Sequence, residues 1–180
     1  MSYCKAIQSN KLTELHQNYH DTTYGFPCQT DDELFGKMLL EMNQAGLSWD
    51  IVLKKKGTIR EAYADFDIAK VAQFDEAKVE QLLQNPGIIR MRAKIHAAIF
   101  NGRVIVELQK SHGSFKAWLN EQSPKPAEEW IKLFKKTFKF MGKETTKEFL
   151  MASGYLKGAH DDDCPIQKMI IKQKPKWLTY

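Results

Sequence analysis

Three groups of residues in this 180-residue chain have side chains and spacings suited to chemistry. His160 and Cys164 are four positions apart, which puts both side chains on one face of a helix or close turn, and Cys4 and His20 supply the same two chemistries near the other end. Two cysteines and two histidines can complete a closed tetrahedral metal site; the plain alternative is a free thiol with ordinary hydrogen-bonding histidines, and spacing alone favours it. Glu41 stands in the apolar stretch Leu39-Leu40-Glu41-Met42, where a buried carboxylate is costly unless a donor or cation meets it. From pattern alone an exposed place on an amphipathic helix is the simpler account of Glu41. Leu82-Leu83-Gln84-Asn85-Pro86-Gly87-Ile88-Ile89-Arg90 joins an apolar helix end, a Pro-Gly turn and a new helix start. That is the pattern of a helix-hairpin-helix, in which glycine lets backbone approach a phosphate and free amides face its charge. An ordinary turn between helices fits the same residues.

The elements that must position these groups read as helical throughout, because apolar residues recur at three and four spacing without sustained strand alternation. Thr30 with Glu33 forms a capping box opening a helix to about Gln44, which Gly46 interrupts. A short helix follows from Trp49 and is expected to end at Lys54-Lys55-Lys56-Gly57. Asp67 and Asp75 read as N-caps, the second opening a helix over about 76–84 that Asn85-Pro86-Gly87 stops. Further helices are expected from near Arg90 to about His112, and over about 115–121, 127–138 and 143–152, with an irregular tail from Gly154. The class is all-α, a single domain over 1–180.

Net charge is +5 with a pI near 9.0, which suits polyanionic partners without demonstrating them. No stretch reaches the roughly 20 apolar residues of a bilayer span, so no membrane partner and a cytoplasmic, monomeric protein are the expectations. Three widely spread cysteines point to metal binding or free thiols more than to a disulfide framework.

The chain resembles the type I 3-methyladenine DNA glycosylases, a branch of the helix-hairpin-helix glycosylase superfamily, over nearly its whole length. The segments that carry the resemblance are Tyr19-His20-Asp21, Tyr24-Gly25-Phe26-Pro27, Leu40 through Trp49, Val52-Leu53-Lys54-Lys55, Phe66-Asp67, Gly87-Ile88-Ile89-Arg90, Lys94-Ile95 and Phe138-Lys139-Phe140-Met141-Gly142, in that order. It implies an all-α helix-hairpin-helix fold, with the hairpin at about 76–100, and a structural zinc ion (Zn2+) held by Cys4, His20, His160 and Cys164, joining the termini. It also implies a base pocket of Glu41, Tyr19, Trp49 and Tyr24 with Glu41 at the chemistry. Ala6 stands where a tryptophan that walls the pocket is common, and His16 where a tyrosine is usual, so His16 joins the base-binding set and the pocket is expected to be wider or more polar.

The implied activity is removal of N3-methyladenine from alkylated double-stranded DNA by base flipping and hydrolysis. Methylation at N3 leaves the base cationic, so aromatic faces gain a cation–π contribution of about 0.5–2 kcal/mol and the glycosidic bond is already weakened. Gly46 and Leu47 can press into the gap the base leaves, though a plain helix corner fits equally. Pro86, Gly87, Ile89, Arg90 and Lys94 are the expected DNA-binding residues of the hairpin. No lysine stands at the start of the hairpin's second helix, so base release without strand cleavage is expected. The competing readings are a catalytically impaired lesion-binding protein, which Ala6 and His16 encourage, and a zinc-stapled protein-interaction module.

Overall fold

The computed structural model describes residues 2–9 and 11–179, and among them every regular element is helical. Two short helices that the sequence pattern did not mark open the chain: α1 (Tyr3–Gln8), capped by Ser2, and α2 (Glu14–Thr22). Then α3 (Asp31–Gln44) begins at the expected capping box, the Thr30 hydroxyl accepting from the Glu33 amide. α4 (Trp49–Ala62) does not stop at Gly57. A single exposed glycine costs about 1 kcal/mol, and buried Val52, Leu53 and Ile59 on either side of it outweigh that. α5 (Ile68–Ala72) and α6 (Glu76–Gln84) start at Asp67 and Asp75 as expected, each carboxylate accepting from the amide three residues on. α7 (Arg92–His112) begins two residues later than expected, with Met91 as its cap. α8 (Phe115–Gln122), α9 (Ala127–Thr137) and α10 (Lys143–Ala152) follow the sequence pattern closely. The tail is more ordered than expected: Pro165 occupies the first turn of α11 (Pro165–Lys172), whose Gln167 and Ile170 are buried.

α3 is the axis. It packs against α4, α7, α8 and α10, and eight of its fourteen residues from Leu34 to Asn43, Glu41 aside, are buried. Gly36 lets the turn at Ala64–Phe66 close on it, since a Cβ there would fall 2.5 Å from the Phe66 ring. On the other side Phe115, Trp118, Trp130, Phe134, Phe138 and Phe149 form an aromatic core. A helix seated this firmly holds its side chains in fixed directions, and one of those is Glu41. No described helix is long and apolar enough to cross a membrane.

Candidate functional site

Glu41 is 5% exposed, and no hydrogen bond reaches its carboxyl among the described residues. Burial, reinforced by the charge of Glu148, pushes it up to about 8, while the Lys37 ammonium pulls the other way. It faces a cavity of about 630 Å³ that His16, Tyr19, Tyr24 and Trp49 also line, so all five residues expected to handle a base meet in one place. Tyr19 stands edge-on to Trp49 with centroids 5.0 Å apart, and Tyr24 lies 5.7 Å from Tyr19. A second hollow of about 650 Å³ shares Glu41 and Tyr19 and is lined by Lys37. The Lys37 ammonium donates to the carbonyls of Thr23 and Phe26 at 2.9 Å and of Ala152 at 2.5 Å.

Among the cavity residues that the sequence did not reveal, Tyr3 and Glu148 make polar contacts with the expected set. Tyr3 lines the cavity and Ala6, one turn later on α1, does not. The Tyr3 hydroxyl lies 3.0 Å from His16 Nδ1 and 3.2 Å from the His16 carbonyl, its ring 5.7 Å from Tyr24. Burial holds His16 below its ordinary range, so it faces the cavity as a neutral ring. Glu148 on α10 accepts a hydrogen bond from the Tyr24 hydroxyl at 3.0 Å. The available signals were the neighbour of Cys4 and the i, i+4 pair Glu144 and Glu148.

The α6–α7 turn and the break after α3 lie against each other. Lys94, expected at a phosphate, is turned inward: it is 4% exposed and its ammonium donates to the carbonyls of Asn43 (2.9 Å) and Ala45 (2.7 Å). Those carbonyls end α3 without helical partners, and a cation there satisfies them and the dipole, so the charge is not available to DNA. The clamp fixes exposed Gly46, at φ +82°, and half-buried Leu47 at the surface. Gly87 packs closely, since a Cβ would lie 3.0 Å from Thr58, and its amide is engaged by the Asn85 side chain at 2.8 Å. Lys55 and Thr58 of α4 hold the carbonyls of Pro86 and Gly87, both at 2.5 Å. The amides of Ile89 and Arg90 have no acceptor among the described residues, and the Arg90 side chain is exposed beside them. Arg92 spends its charge on Glu76 and Glu80.

Cys4, His20, His160 and Cys164 come together from both ends of the chain, all buried, with their ligand atoms within 4.8 Å of one another. The S···N distances are 3.3, 3.6, 3.6 and 3.9 Å. Metal–nitrogen and metal–sulfur bonds of about 2.0–2.3 Å at tetrahedral angles separate such atoms by about 3.6 Å. The outward nitrogens are also fixed: His20 Nδ1 donates to Asp21 at 2.7 Å, and His160 Nε2 to the Tyr24 carbonyl at 2.8 Å. The second bond sets the tautomer that aims His160 Nδ1 inward, as metal-binding histidines require. The residues fit a metal ion.

Residues 8–132 match the family model of methyladenine glycosylases. The chain belongs to the methyladenine glycosylase family. Within that family it is 34% identical over 170 residues to the DNA-3-methyladenine glycosylase of Haemophilus influenzae, covering 84% of this chain and 91% of the relative. It is 35% identical over 159 residues to DNA-3-methyladenine glycosylase 1 of Escherichia coli, covering 78% and 85%. Among solved structures, 3-methyladenine DNA glycosylase I of Staphylococcus aureus superposes with a TM-score of 0.78 at 32% identity over 86% of this chain and 92% of that one. A tyrosine-to-phenylalanine variant of a 3-methyladenine DNA glycosylase I, in complex with 3-methyladenine, does so with a TM-score of 0.81 at 31% identity over 92% and 97%. This family membership accounts for the all-helical architecture found here.

Proposed function

We propose that this chain is a base-excision repair glycosylase that draws N3-methyladenine out of alkylated double-stranded DNA and hydrolyses its bond to the sugar, acting as a single-domain monomer. The observation that carries this reading is the carboxyl of Glu41, without a hydrogen-bond partner among the described residues and set beside aromatic rings in a cavity large enough for a purine.

The hairpin, 76–100, takes a DNA phosphate on the free amides of Ile89 and Arg90, with Pro86 and Gly87 shaping the turn. Gly46 and Leu47, clamped from beneath by Lys94, fill the gap left by the extruded nucleotide. Tyr19, Trp49 and Tyr24 take the flipped base on their ring faces, and neutral His16 with Tyr3 forms a polar edge. Glu41, ionised by the arriving cation, accepts a hydrogen bond from the base and stabilises the positive charge as the glycosidic bond breaks. The base leaves as an already weakened leaving group, so no strong acid is required. Cys4, His20, His160 and Cys164 hold a structural Zn2+ whose role is to tie the termini beneath the pocket.

Incubation with alkylated DNA is expected to release free 3-methyladenine, read by chromatography. DNA binding without base release would favour the lesion-binding alternative. A second expectation concerns the strand. The first lysine after the hairpin turn, Lys94, is buried and bonded to carbonyls, so it offers no nucleophile to the sugar. Borohydride added during turnover is expected to trap no protein–DNA adduct; a trapped adduct would show a Schiff base and reject base release as the whole reaction.

A further inference from the structure

The cavity is acidic inside a basic protein. Glu41, Glu144, Glu148 and Asp161 line it, and among the described residues no lysine or arginine does, Lys37 acting on Glu41 from the adjoining hollow, although the chain carries a net charge of +5. Exposed Glu144 sits toward the rim, whereas Glu148 is half-buried one turn deeper on α10. Glu148 is also held: Tyr24 donates to one of its oxygens at 3.0 Å, and the Tyr24 backbone is itself fixed by His160. Two carboxyl groups, Glu41 and Glu148, thus face one open-sided cavity, the first 5% exposed and without a hydrogen-bond partner among the described residues. Such a pair is costly in the empty protein, since burial disfavours both charges and each disfavours the other. A ligand that is itself positive removes both penalties. A neutral ligand of the same shape removes neither.

We propose that Glu148 is a second charge-reading residue which, together with Glu41, makes the cavity selective for purines carrying a positive charge on the ring, that is, cationic N-alkylpurines as a class, over neutral bases of similar shape. This inference rests on the base-pocket reading above and assigns a determinant of specificity on α10, outside the residues of the first four helices and their connections to which the base contacts are given above. Tyr24 presents the carboxylate rather than the base contact alone, so one ring both stacks on the ligand and orients the acid that senses its charge.

The test compares 3,9-dimethyladeninium, a fixed cation, with neutral 9-methyladenine, by calorimetric titration of wild type and Glu148→Gln. Glutamine keeps an oxygen for the Tyr24 hydroxyl and removes the charge, with an amide donor in place of the second oxygen. Wild type is expected to prefer the cation by about ten-fold or more, and Glu148→Gln to reduce that ratio by about ten-fold, with affinity for 9-methyladenine changed less than about two-fold. Glu144→Gln, at the rim, is expected to alter the ratio by less than about two-fold because exposed charges are screened. An unchanged ratio in Glu148→Gln, or equal loss for both ligands in a variant of unchanged melting temperature, would overturn the assignment. Base release from alkylated DNA by wild type, run alongside, separates the outcomes. Release with an unchanged ratio rejects only the role of Glu148, and no release rejects the pocket reading itself.

Discussion

Replacing Glu41 by glutamine is expected to lower release of 3-methyladenine from alkylated DNA by about 10²–10³-fold while making the folded protein more stable. Both effects have one origin. The carboxyl is held at about 8 against an ordinary value of 4.5, chiefly by burial, with no hydrogen bond among the described residues and only the Lys37 charge to offset the cost. A carboxyl raised in the folded state favours folding below its unfolded value and loses that advantage as pH rises through its folded value. Wild type therefore gives up stability between pH 4.5 and about 8, on the order of 3 kcal/mol by neutral pH. Glutamine is neutral throughout and loses nothing in that window. For a chain of this size each kcal/mol is about 2–4 °C of melting temperature, so Glu41→Gln is expected to melt several degrees higher at pH 8 and at the wild-type temperature below pH 4.5. Activity runs the opposite way. Only the ionised form attracts a cationic base, so wild-type base release at limiting substrate is expected to climb with pH up to about 8, and the variant to stay low and flat. A variant that loses activity and melting temperature together would mark Glu41 as a packing residue and defeat its role at the chemistry.

The contrast between Glu41 and Lys94 shows where the sequence was informative. Helix periodicity and caps placed α3, α6, α8, α9 and α10 well, because those signals depend on residues within a turn of one another. The same local logic misjudged Lys94. A lysine one turn into a helix that follows a Pro-Gly hairpin looks like a phosphate contact, and only the return of Asn43 and Ala45, some fifty residues earlier in the chain, reveals that the ammonium is already engaged. Glu148 was hidden for the converse reason. Next to Lys147 and four residues after Glu144 it has the pattern of a solvated helix face, and its burial arises when α10 docks on α3 and brings Tyr24 across 124 positions. α11 escaped because its amphipathic turn is short and follows the acidic run Asp161-Asp162-Asp163. What local pattern could not supply was supplied by resemblance, through ordered segments that placed Glu41, Tyr19, Trp49, Tyr24 and His16 in one pocket, where the structure also puts them.

Removal of the proposed zinc ion is expected to have the largest effect on stability. Cys4 and His20 lie in the first two helices, while His160 and Cys164 lie 140 or more residues later, so any ion bound by all four closes nearly the whole chain into one loop. Without it, two thiols and two imidazoles remain buried with little beyond each other and the Asp161 amide, which donates to Cys4 Sγ at 3.4 Å, and short helices such as α1 have little to keep them formed. Stoichiometric zinc is expected by elemental analysis of wild type, with chelation lowering the melting temperature by more than about 10 °C. Cys164→Ser is expected to bind no zinc and to melt near the chelated protein. The consequence should reach the base pocket, because Tyr3 adjoins Cys4, Tyr19 adjoins His20, and the Tyr24 carbonyl is bound by His160. Each aromatic wall that these residues provide is thus one residue or one hydrogen bond from a ligand. At a temperature where the chelated protein is still helical by circular dichroism, its affinity for 3-methyladenine is expected to fall at least about ten-fold, and to return when zinc is restored. Unchanged base affinity in a folded, metal-free protein would confine the metal to holding the termini and remove its influence on the pocket.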